Sequence, residues 1–317
     1  MKKISILLLI IILFSCRQQD DTFTILLDWT INTNHSGIFA AVYLGYFAEE
    51  GLTVQILPAA DNGLELLTAG HAHFAISSQS SLTRAIERGL PLIGVATILQ
   101  EDDSALASLA HLNIIRPRDL EGRRYLGWGG SVEEATIRSI VAADGGNPDL
   151  VTILPLMGNA DLSALLNDVA DVIWLYRGWD GVAARLLGIE LNEIAIADFR
   201  GSSSYTPILA ANLNFINQNE EQAKAFMRAL ARGYHFAAHN PQETARILLS
   251  YAPNLSADLV AQSALRLAPL YLNEDGRFGI TEPERVSRRT HWLLEYGMLS
   301  HYIESERIFT NKLIIND

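Results

Sequence analysis

Cysteine is almost missing from this chain. Its 317 residues contain one, Cys16, which excludes an intrachain disulfide and any cysteine-rich metal cluster. Positive charge is also scarce. Lys and Arg total 24 against 36 Asp and Glu, a formal net charge of −12, or about −14 once Lys2 and Lys3 are set aside. Nucleic acid and anionic lipid surfaces both need basic patches, so the balance argues against either as a partner. No HExxH, GxSxG, CxxC, GxGxxG or Walker lysine motif occurs. The eight histidines are scattered: His71 and His73 flank a strand start, and His291 and His301 fall on terminal helices. Neither set brings a cysteine or carboxylate at ligand spacing, so no metal is expected. Solenoid repeats and low-complexity linkers are missing as well.

What is present is a globular composition, 49% hydrophobic and 19% charged, with length enough for two lobes of ordinary domain size. The one long apolar run is "ISILLLIIILF", after Met1-Lys2-Lys3. It is too short to span a bilayer comfortably and reads as a secretion signal over residues 1–15. It ends in "LFSC", which resembles a bacterial lipobox with Phe14 in place of a small residue. Acylated Cys16 is then the first mature residue, with residues 16–22 as a tether; an uncleaved signal anchor is the alternative.

Beyond the leader, strand and helix patterns alternate. "FTILLDW" turns Phe23, Ile25 and Leu27 inward. Phe39, Val42, Tyr43 and Tyr46 recur at helical spacing between Ser36 and Glu50, and Gly51 supplies a stop. "LTVQILPA", "AHFAISS" and "LIGVATIL" read as strands, with "GLELLTAG" and "SLTRAIERG" as helices between them. Such alternation predicts a parallel α/β sheet. It restarts at "RRYLGW" and continues through "SVEEATIRSIVAADGG", "VTILPL", "DVIWLY" and "EIAIADF". From Asn217 onward only helices are expected, opened by Asn217 and Glu220 as an N-cap pair. The strands "SALASL" and "YTPILAA" flank the middle block and join the halves. The expectation is an α/β clamshell: a discontinuous lobe (23–105 and 208–317), an inserted lobe (106–207), and a cleft where the carboxyl ends of both sets of strands meet.

Side chains at those strand ends form the candidate site. Asp28 and Trp29 end the first strand, offering an acceptor for an amino group and a flat face for stacking; capping of core and helix is the plainer alternative. Asn32, Asn34 and His35 precede the next helix, whose free amides suit a heteroaromatic ring or an anion equally well. Ser77 and Ser78 end the third strand, where helix capping alone also accounts for them. "LGWGGSVEE" has the glycine pair of an oxyanion cradle, yet Glu133 and Glu134 already satisfy the helix dipole there and would repel a phosphate. Trp128 is the useful residue of that turn. Trp174 and Tyr176 face the same way on a strand, Trp174 with an alternative place in the core; Trp179 and Asp180 follow in the turn, and Tyr205 completes the set.

The stretches "LDWTINTNHSGIFAAVYLGYFAEEGLTVQILPA" and "YRGWDGVAARLLGIELNEI" resemble the bacterial solute-binding lipoproteins related to the thiamine-pyrimidine synthase family, over nearly the whole mature chain. The resemblance implies a type II periplasmic-binding-protein fold and service to an ABC permease and its ATPase. It further implies a monomeric receptor, anchored by lipid at the cell membrane, with no cofactor and no catalysis. The implied ligand is a formylaminopyrimidine-type thiamine precursor, with riboflavin as alternative. Asp28, Trp29, Asn32 and His35 would line the site from one lobe and "WLYRGWDG" from the other. An uncharged ring needs no lysine or arginine. An enzyme of the synthase kind is the rival, but the lysine and histidine positions of the synthase correspond to Ser77 and Ser81 here, its cysteine-rich loop has no counterpart, and its phosphate loop reads "GGSVEE". The first motif departs from its relatives at Ile31, where proline is more usual.

Overall fold

A computed structural model of the chain describes residues 22–155, 161–199 and 201–314. The signal sequence and the Cys16 anchor lie outside them. Among the described residues no helix is long and apolar enough to cross a membrane.

The strands fall into two five-stranded sheets. In the first, β1 (Thr22–Leu26), β2 (Thr53–Leu57), β3 (Phe74–Ser77), β4 (Leu92–Thr97) and β10 (Ile208–Asn212) take the order β2-β1-β3-β10-β4. In the second, β5 (Ser104–Leu109), β6 (Arg124–Leu126), β7 (Thr152–Ile153), β8 (Val172–Tyr176) and β9 (Leu191–Ala195) take the order β7-β6-β8-β5-β9. The helices are α1 (Ser36–Tyr43), α2 (Tyr46–Glu49), α3 (Gly63–Thr68), α4 (Gln79–Glu87), α5 (Ser131–Ala143), α6 (Leu162–Leu166), α7 (Asp180–Leu186), α8 (Leu213–Gln218), α9 (Glu220–His239), α10 (Pro241–Tyr251), α11 (Ala257–Leu267), α12 (Pro283–Glu295) and α13 (Ser305–Ile308).

Both sheets are mixed rather than parallel. β10 runs antiparallel to β3 and β4, and β5 antiparallel to β8 and β9. Each is the first strand after the chain passes from one sheet to the other, so it enters from the end at which its neighbours finish. "SALASL" and "YTPILAA" thus contribute interior strands, and among the described residues the passage itself is made by 98–103 and by 196–199 with 201–207. These two segments run side by side: the Ile98 N–H donates to the Pro207 carbonyl at 2.9 Å, and the Ser204 N–H to Asp102 at 3.1 Å.

Helix α12 braces this junction. Arg289, 3% exposed, donates to the Gly201 and Ser202 carbonyls at 3.0 and 2.7 Å and to the Ser80 hydroxyl at 3.1 Å. Burial pulls its guanidinium down to about 10, with Asp102 opposing the shift. Arg285 donates to the Gln100 carbonyl and lies over the Tyr205 ring.

Both faces of each sheet are covered. Phe23, Ile25 and Leu27 pack with Phe226, Leu230 and Tyr234 of α9 on one side of the first sheet, while Leu26 and Ala75 pack with Leu82 and Val286 on the other. The second sheet buries Leu106, Tyr125 and Ile140 on one side and Ile173, Leu175 and Leu165 on the other. Two local expectations are corrected. The helix expected over 36–50 is split into α1 and α2 at Gly45, whose φ of 76° is left-handed. Asn217 lies inside α8, not at a helix start, because Asn212 caps that helix by accepting from the Asn214 and Phe215 N–H groups.

Candidate binding site

The end of β1 is organised by a buried histidine. His35 is fully buried, and its Nδ1 accepts the Asn32 N–H at 3.3 Å. That assigns the ring proton to Nε2, which donates to the Asp28 carboxylate at 2.9 Å. Asn32 in turn accepts from the Asn34 N–H at 2.8 Å and donates to the Thr30 carbonyl at 3.0 Å. Tyr234 and Tyr271 tie down the same turn from beneath, donating to the Asn34 and Thr33 carbonyls. The motif holds one carboxylate at a fixed angle above a rigid floor.

Asp28 opens into a cavity of about 760 Å³ at the carboxyl ends of β1, β2, β3 and β8. Of the residues picked out in the sequence, Asp28, Trp29, Ser77, Ser78 and Tyr176 line it. Trp29 is 61% exposed, so its ring is free of the core. Ser78 caps α4, accepting from the Ser81 N–H at 3.2 Å, and still contributes to the lining.

The second sheet contributes Tyr176 to the lining. Tyr176 stacks on Trp128 with ring centroids 5.6 Å apart at 19°, and Trp174 lies 6.1 Å from Trp128 at a tilt. These three rings form one aromatic block, with Tyr176 facing the cavity. Burial raises the Tyr176 hydroxyl above its ordinary value, and the charges of Asp102, Asp28 and Asp180 add to the effect. It stays protonated and can donate.

Other expected residues do not reach the cavity. Asn32, Asn34 and His35 lie behind Asp28, as its support. Trp179 packs among the α1, α10 and α11 side chains with Phe39, Leu248 and Ala264, because the turn after β8 docks on those helices. Asp180 folds back to accept the Tyr176 N–H at 3.0 Å, and burial raises its carboxyl above the usual range. Tyr205 is 1% exposed; its hydroxyl accepts the Glu282 N–H and its backbone bonds Gln79, so it is part of the junction between the sheets.

The cavity also takes residues that sequence reasoning missed: Asp61 and Glu65 after β2, Ser81 and Arg84 on α4, Thr206 and Met298. The strand-end rule that selected Asp28 applies equally to the turn after β2, and Ser81, Arg84 and Arg88 share a helical face at spacings of three and four. Met298 carries no local signal. Arg84 and Arg88 bring to the lining cations that an uncharged ring does not need; Arg88 pairs with Glu65 at 2.9 Å.

A family model described as NMT1/THI5 like matches residues 32–244, so the chain belongs to that family. It is 26% identical to a formylaminopyrimidine-binding protein of Halalkalibacterium halodurans, over 98% of both chains. It is 24% identical to a 4-amino-5-hydroxymethyl-2-methylpyrimidine phosphate synthase of Legionella pneumophila, over 92% of both. Among solved structures, the periplasmic aliphatic sulphonate binding protein SsuA from Escherichia coli superposes with a TM-score of 0.72 at 13% identity, covering 93% of this chain and 99% of that one. The fold is therefore that of the type II periplasmic binding proteins.

Proposed function

We propose that the protein is the substrate-binding component of an ABC importer and that it takes up a small, uncharged heteroaromatic ligand, a thiamine pyrimidine precursor of the formylaminopyrimidine type. One observation carries the reading: Trp29 of the first sheet, Tyr176 of the second and the Asp28 carboxylate line the same cavity. An aminopyrimidine presents ring faces and an amino donor, which two aromatic side chains and an acceptor match. A ligand that touches both sheets favours the closed arrangement of the two halves over the open one. The permease then recognises the closed form. The division into lobes at 23–105 with 208–317 and at 106–207 belongs to this proposal, as do export by the N-terminal signal, a lipid anchor on Cys16 at the cell membrane, and action as a monomer.

The lining argues for a receptor over a synthase. Among the described lysines, Lys224 is paired with Glu220 and Glu221 on α9, and Lys312 borders a separate groove. No lysine lies among the described lining residues to form a Schiff base with pyridoxal phosphate. The cavity volume also admits a larger ring system, so riboflavin is the second reading.

Titration calorimetry with formylaminopyrimidine and with riboflavin tests the proposal. Saturable binding of the pyrimidine with no bond broken is the expected result. Binding of riboflavin alone would replace the ligand, and a Schiff-base absorbance on adding pyridoxal phosphate would overturn the receptor reading.

A further inference from the structure

The amide seat in the turn between β6 and α5 is filled by a side chain of the chain itself. Glu133, the third residue of α5, folds back so that its carboxylate accepts the Trp128 N–H at 2.9 and 3.0 Å, the Gly129 N–H at 3.0 Å, and the Tyr125 hydroxyl. Gly127 makes the room: a Cβ there would lie 1.4 Å from Glu133 Oε1. A glutamate at this helical position ordinarily reaches the amide of its own N-cap, here Gly130. Glu133 instead takes the two amides before it and a tyrosine hydroxyl that is 1% exposed. Among the described residues it has no cationic partner, whereas neighbouring Glu134 pairs with Arg138 at 3.0 Å.

What those amides hold is Trp128, and Trp128 backs the Tyr176 ring that faces the cavity. We propose that Glu133 is a positioning and specificity-determining residue: a resident anion that fixes the Trp128–Tyr176 wall and bars negatively charged substituents from it. A phosphate monoester brought to this wall would meet a carboxylate with no cationic partner, already seated on the amides that could have received it. This wall therefore disfavours a phosphate, while the cations of the same cavity, Arg84 and Arg88, come from the α4 side, with Arg88 already paired to Glu65. The ligand's identity rests on the reading above; the filled seat does not.

Two variants separate these ideas, each with its fold checked by circular dichroism. Millimolar inorganic phosphate should leave the melting temperature of the wild type unchanged and raise that of Glu133→Ala, whose amides are vacated. Glu133→Gln keeps the shape without the charge. In that variant the preference for 4-amino-5-hydroxymethyl-2-methylpyrimidine over its phosphate ester, read by calorimetry, should fall at least about tenfold. A merely structural glutamate would lower both melting temperatures and move neither phosphate readout. An unresponsive Glu133→Ala, an unchanged preference in Glu133→Gln, or a wild type that binds ester and alcohol equally would overturn the proposal. Should the wild type bind neither pyrimidine, the receptor reading falls, and the inorganic phosphate response of Glu133→Ala still decides the role of Glu133.

Discussion

The Asp28 carboxylate and the buried His35 imidazole are joined by a 2.9 Å hydrogen bond, and the other nitrogen of that imidazole is fixed by the Asn32 amide. The cavity's acceptor is thus aimed by a side chain that lies outside the described lining. Asp28→Asn should weaken ligand binding by about 1.5–3 kcal/mol, the scale of a hydrogen bond to a charged group, with the urea midpoint nearly unchanged. His35→Phe should lose affinity and also cost about 1–3 kcal/mol of stability, because the Asn32 N–H is left buried without an acceptor. Calorimetry and urea denaturation on both variants distinguish the two roles.

Trp29 contributes little to the folded core and faces the cavity. Trp29→Ala should leave the melting temperature within about a degree or two of the wild type and weaken binding by about 1–3 kcal/mol. Unchanged affinity in a calorimetric titration would remove Trp29 from the site.

Arg289 carries a charge in a setting where carbonyl and hydroxyl oxygens accept its hydrogen bonds and its guanidinium lies 4.2 Å from the centre of the Trp292 ring. Arg289→Met should cost about 2–4 kcal/mol, since the Gly201 and Ser202 carbonyls lose a donor inside the junction. Arg289→Lys should recover only part of this, because one ammonium cannot reproduce the planar fork that spans Ser80 and the two carbonyls. Urea denaturation gives the stabilities, and small-angle scattering with and without ligand reads any change in closure.

Acid should destabilise the protein through its carboxylate–arginine pairs. The Arg116 guanidinium holds Asp144 at about 2, and Arg124 and Arg228 lower Asp171 and Glu50. A folded carboxylate with a lowered pKa binds fewer protons than its unfolded form, so its contribution is complete above the ordinary values of 3.8 and 4.5 and fades as pH falls toward about 2. Asp103 and Asp180, raised by burial, act in the opposite sense and gain stability on protonation. Arg124→Gln should flatten the fall of the urea midpoint with pH below about 4.5; an unchanged slope would show that its pair with Asp171 does not contribute.

Sequence alone placed Asp28, Trp29, Ser77, Ser78 and Tyr176 at strand ends, and all five line one cavity. That inference needs only strand length and direction, which short-range alternation of apolar residues specifies. Trp179 and Tyr205 obeyed the same local pattern yet pack elsewhere, Trp179 half-buried against α10 and α11 and Tyr205 buried beside α12, segments that lie much further along the chain.

By itself the chain's pattern determined two sets of α/β units, a strand-end polar motif and a low supply of cations and cysteine, because these follow from periodicity and composition. Tertiary structure decided the antiparallel course of β5 and β10, the burial of Arg289 in the junction, and the meeting of Trp29 and Tyr176 in the lining of one cavity. Each of those depends on where a distant segment arrives, and the free energy of such contacts is set by geometry that no window of neighbouring residues contains.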